Sequence, residues 1–116
     1  MDYEQIMGAV AVIPTGKGDQ VALYVLFDDG RGDLLDYYDT AAEGESIARH
    51  FSRCCDAAYD EGYCKVPGYF LHLEDGCGVS FVEALIKDRI SPAQFRVILR
   101  QTRQKSVRMR AASRPK

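Results

Sequence analysis

From residue 89 to the last, Lys116, the sequence has no carboxylate, although it carries nine arginines and lysines there. The preceding 1–88 hold all seventeen acids and six bases, so a formal net charge of −2 conceals a body of −11 joined to an end of +9. Asymmetry on that scale points to a polyanionic partner, to a basic partner, or to pairing between the two parts of the chain. It also permits head-to-tail self-association into a homo-oligomer.

Long apolar runs are missing as well. The N-terminal run around "GAVAVI" is stopped by Pro14 and preceded by Asp2 and Glu4 rather than by a basic region. About twenty apolar residues are needed to span a bilayer and a charged n-region to open a signal peptide, so neither is expected. The chain reads as soluble and cytoplasmic, with no membrane partner. In that compartment Cys54, Cys55, Cys64 and Cys77 are thiols rather than a disulfide framework.

No C-x-x-C pair, internal repeat, helix-turn-helix, KH or zinc-finger signature is present, and "PTGKGDQ" lacks the spacing of a phosphate-binding P-loop. His50 and Cys54 are four apart on a predicted helix, but with Cys64, His72 and Cys77 they match no compact zinc module. Neither a metal nor a cofactor is expected. "RGD" at Arg31–Asp33 reads as turn chemistry.

The elements follow from periodicity and punctuation. Residues 8–13, 21–29 and 34–39 have strand chemistry, with Val21, Leu23, Val25 and Phe27 on one face, and their short loops predict an antiparallel meander. Thr40 and Glu43 form a capping box that opens a helix with Ile47, Phe51, Cys54, Cys55 and Ala58 on its apolar face and Gly62 at its end. "YFLHLED" (69–75) predicts a fourth strand. Ser80 and Glu83 form a second box, before an apolar face of Phe81, Val82, Leu85 and Ile86. Ser91 and Pro92 start a third helix reaching about Gln104, with Phe95, Ile98, Leu99 and Thr102 as its stripe.

The predicted fold class is α+β, in the order β-β-β-α-β-α-α. One small domain over 1–105 has a mostly antiparallel sheet of about four strands with helices packed on one face. Residues 106–116 then form a basic, flexible C-terminal tail.

Function is expected to be binding rather than catalysis. On the third helix Arg96, Arg100 and Arg103 fall within about 60° of one another, enough to hydrogen-bond successive phosphates, and Lys105, Arg108 and Arg110 extend the contact. The leading expectation is therefore a regulatory protein acting on nucleic acid or a nucleoprotein complex through this basic end. The alternative is an inhibitor that mimics nucleic acid: Asp28, Asp29, Asp33, Asp36 and Asp39, clustered in and after one hairpin, would occupy a basic groove on a protein partner. A thiol-dependent enzyme is a third possibility. It would use Cys77, between two glycines before a capped helix whose dipole lowers the thiol pKa, with His72 or His50 as base.

The seven tyrosines do not form a stacking platform of the RRM kind, because Tyr37 and Tyr38 are flanked by Asp36 and Asp39. They are expected as half-buried strand residues or interface contacts.

Overall fold

The structure is a computed structural model that describes residues 5–85 and 90–113, with side chains described over 8–85 and 90–109. The fold is α+β, as the sequence predicts, and the chain divides into two compact units, Met1–Cys55 and Asp56–Lys116.

The first unit holds four antiparallel strands in the order β1-β2-β3-β4: Gln5–Met7, Val10–Pro14, Val21–Leu26 and Gly32–Tyr38. The three-strand meander of the sequence is therefore present, with the short β1 added at its edge. Val10 and Val12 pair with Val25 and Leu23, placing buried branched side chains side by side on one face. Helix α1, Ala41–Asp60, begins where Thr40 Oγ1 accepts the Glu43 N–H at 3.2 Å, and it covers that face. Gly44 lies directly over Val21 and Leu23, where any Cβ would collide with the Val21 methyl. Ile47, Ala48, Phe51, Cys54 and Cys55 continue the buried stripe of α1, while Arg49, Arg53, Asp56 and Asp60 are exposed.

The second unit begins with the last residues of α1. Gly62, at φ +87°, takes the left-handed position after the helix, and its N–H donates to Tyr59 O at 3.0 Å. Three antiparallel strands follow: β5 (Tyr63–Val66), β6 (Tyr69–His72) and β7 (Cys77–Ser80). The predicted fourth strand is β6, but it pairs with β5 and β7 in a separate sheet rather than joining the meander. Pro67-Gly68 turns the β5–β6 hairpin directly before β6, with Gly68 at φ +85° as a type II turn demands.

Helix α2 is the short Phe81–Leu85, and α3 runs Pro92–Ser113. Phe81 and Ala84 are the buried residues of α2. Val82 is exposed, contrary to its predicted place on the apolar face, because a helix this short buries only the i, i+3 side; Ile86 lies outside the described residues. The core of this unit is built on Phe70, whose ring meets Phe81 and Phe95 edge-on at 4.8 and 5.5 Å, with Tyr63, Val79 and Leu99 beside it.

The helix predicted to fade at Gln104 continues to Ser113. The apolar stripe ends there because burial ends, whereas Gln, Lys, Arg, Met and Ala remain good helix formers in solvent. Residues 114–116 of the predicted tail lie outside the described residues. Among those described, no helix is long and apolar enough to cross a membrane.

Candidate nucleic-acid interface

Helix α3 is fixed at its start by a reciprocal cap: Ser91 Oγ accepts the Gln94 N–H at 3.1 Å and Gln94 Oε1 accepts the Ser91 N–H at 2.9 Å. Phe95 and Leu99, both fully buried, anchor its first half. Farther along, Ser106 Oγ donates to the Asp75 carbonyl at 3.4 Å, so attachment to the unit reaches beyond Gln104.

The arginine face of α3 meets carboxylates of its own unit. Arg100 donates from Nε and Nη2 to the two oxygens of Glu61, both at 2.9 Å, a fork-to-fork pair. Arg96 Nη2 reaches Asp60 at 2.7 Å and its Nη1 reaches Glu61 at 3.5 Å. Arg103 Nε donates to Asp75 Oδ2 at 2.8 Å. The Arg100 guanidinium holds the Glu61 carboxyl below the usual carboxylate range, with Arg96 adding to the effect. Arg103 is itself held further toward its charged form by Asp75.

Asp75 is a junction between α3 and the β6–β7 turn. Its N–H donates to His72 Nδ1 at 3.2 Å, so that nitrogen serves as an acceptor. His72, Tyr63 and Cys77 lie side by side across β5, β6 and β7. The His72 ring packs edge-on against Tyr63 at 5.2 Å. The Tyr63 hydroxyl donates to Leu99 O at 2.7 Å and lies 3.6 Å from Cys77 Sγ. Burial, and then the neighbouring thiol, pushes the Tyr63 phenol above its ordinary range. This polar cluster ties the sheet to α3.

Past these pairs the helix changes character. A cavity of about 380 Å³ is lined by Asp75, Arg100, Arg103, Gln104, Val107 and Arg108. Arg103 uses only Nε on Asp75, which leaves its terminal nitrogens for another acceptor. Lys105 and Arg108 are exposed, and Arg110 is on the same helix with its side chain outside the described residues. Of the six predicted contacts, three are engaged by Asp60, Glu61 and Asp75 and three belong to the outer half.

The acidic hairpin joins β3 to the edge strand β4. The Arg31 backbone N–H, donating to Asp29 at 3.0 Å, and then its Nε hold the Asp29 carboxyl below the usual range, and Asp36 accepts the Tyr37 N–H at 2.8 Å. Asp28, Asp36 and Asp39 are exposed, and Asp33 is half-buried.

Cys77 is not in a turn before a helix. It is the first residue of β7, buried, and followed by three more strand residues before the five-residue α2, so the predicted dipole activation has no helix end to act through. Burial pushes the Cys54 thiol up to about 11, and its Sγ lies 3.6 Å from His50 Nε2. Among the described residues no three His, Cys, Asp or Glu side chains group as metal ligands. No family model, curated protein or solved structure matches the chain.

Proposed function

We propose that this is a non-enzymatic binding protein that acts on nucleic acid, free or in a nucleoprotein complex, through the outer half of α3. The observation that supports this reading is the division of the arginine face. Arg96, Arg100 and Arg103 are held by internal carboxylates, and beyond them Lys105, Arg108 and Arg110 continue on a helix with no acid of its own. Held arginines fix the register of the helix, and outer bases on a rigid scaffold lose less freedom on meeting phosphates than a flexible tail would. Gln104 supplies a neutral donor beside Arg108 for a single phosphate.

The test is a titration of labelled duplex DNA and single-stranded RNA with the full chain and with Lys105→Gln/Arg108→Gln/Arg110→Gln. Binding by the parent chain, at least about tenfold weaker in the triple variant at low salt, is the expected result. Absence of binding, or equal binding by both, overturns the reading.

The β3–β4 hairpin favours a second reading, an acidic surface that occupies a basic groove on a protein partner. Its only base, Arg31, is spent on Asp29, which leaves Asp28, Asp36 and Asp39 presented to solvent. Charge reversal of those three residues would then abolish capture of a basic protein, and unchanged capture would refute it.

A further inference from the structure

The face of the four-stranded sheet away from α1 carries a slot that neither reading uses. Across the strands, Ile13, Ala22 and Tyr37 are register partners and share this face. Along β3, Gln20 precedes and Tyr24 follows Ala22 by two residues, placing them at either end of the slot. Ala22 itself is only 3% exposed and lies beneath these larger side chains, which form the wall of the cavity. Strands lie about 4.8 Å apart, so the Ile13 and Tyr37 backbones stand roughly 10 Å from one another. The cavity measures about 520 Å³, and Pro14, Thr15 and Lys17 complete its end.

Its chemistry is unlike that of the surrounding unit. Residues 1–55 hold ten acids and four bases, yet the slot is lined by no acid and by one of those bases, Lys17. The Gln20 amide is oriented by Thr15, whose hydroxyl donates to Gln20 Oε1 at 2.8 Å; this leaves the Nε2 donors for a guest. The loop holding Lys17 is closed by Thr15 N–H to Gln20 O and Gln20 N–H to Lys17 O, each 3.1 Å. Tyr37 is 51% exposed, which leaves its ring available to a guest.

We infer that this slot binds a small planar aromatic anion, its ring against Tyr24 and Tyr37 and its charged group on Lys17 and the Gln20 amide. That chemistry is shared by nucleoside monophosphates and aromatic carboxylates. Tyrosine faces accept any flat ring, and the lysine, the sole charge among the lining residues, selects for an anion. The site is independent of α3, so it stands or falls apart from the proposed function.

The test is an amide NMR titration of the full chain with adenosine and uridine monophosphates, benzoate, uncharged nucleoside and inorganic phosphate. Saturable shifts at Thr15, Lys17, Gln20, Ala22, Tyr24 and Tyr37 are expected with the nucleotides or with benzoate, and whichever binds identifies the source of the anion. Affinity should fall about tenfold or more in Tyr37→Ala and in Lys17→Gln, both surface changes. No saturable shift at these residues with any ring-bearing anion overturns the inference. So does equal binding of inorganic phosphate or of uncharged nucleoside, or unchanged affinity in both surface variants.

Discussion

Gly44 in the first turn of α1 weakens that helix by about 1 kcal/mol relative to alanine, a cost that propensity alone cannot explain. The explanation lies across the interface, where Val21 Cγ2 occupies the space a Cβ would need and Leu23 Cδ1 stands 3.2 Å away. Valine is stiff at χ1 and both neighbours are strand residues, so neither gives way cheaply. Overpacking of about 1–3 kcal/mol therefore outweighs the propensity gain, and Gly44→Ala is expected to lower unfolding free energy by about 1–2 kcal/mol in a urea titration. A stabilised variant would mean that α1 rides farther from the sheet. Such residue-scale constraints were not legible in the sequence. The capping Thr40 and the helix-ending Gly62 could be read locally, because their partners are within four residues. Tyr63 could not be told from six other tyrosines, since its acceptor, Leu99 O, is thirty-six positions away.

At the scale of elements, alternation of apolar and polar residues disclosed β2, β3, β4 and β6, and 3.6-residue periodicity disclosed α1. Strands β5 and β7 have four residues each; "DGCG" has the composition of a turn, and only pairing with β6 makes Cys77–Ser80 a strand. For α3 the sequence showed the arginine face but not the carboxylates that meet it, because Asp60, Glu61 and Asp75 come from other elements. Glu61 gives this fastening a pH dependence. Its folded pKa is depressed below the ordinary 4.5, chiefly by Arg100. Its contribution is therefore fully present above that value and is lost as pH falls through the lower, folded one. Urea midpoints of the parent chain and of Glu61→Gln should differ by a constant amount at neutral pH and converge as pH drops from about 5 towards 3. A gap that persists at low pH would show that the carboxylate's charge is not what holds α3.

For the whole molecule, the partition of −11 and +9 is partly answered within the second unit, where Asp60, Glu61 and Asp75 take up three of the basic end's nine charges. This changes the expected form of nucleic-acid binding. An arginine already paired with a carboxylate carries little net charge to displace counterions from DNA, whereas an exposed, unpaired base displaces about one per phosphate. Six engaged bases would give a slope of log affinity against log salt near −5, and the three outer ones near −3, at about −0.9 per contact. The Debye length of about 8 Å at physiological salt also confines attraction to bases close to the duplex. We expect the full chain to show the shallower slope on duplex DNA. Breaking one internal pair should then recruit the released arginine: Asp75→Asn, which frees Arg103, should steepen the slope by about one and strengthen binding at low salt. No change in the variant would mean that the inner arginines already meet phosphates despite their carboxylates, and that the division along α3 does not govern binding.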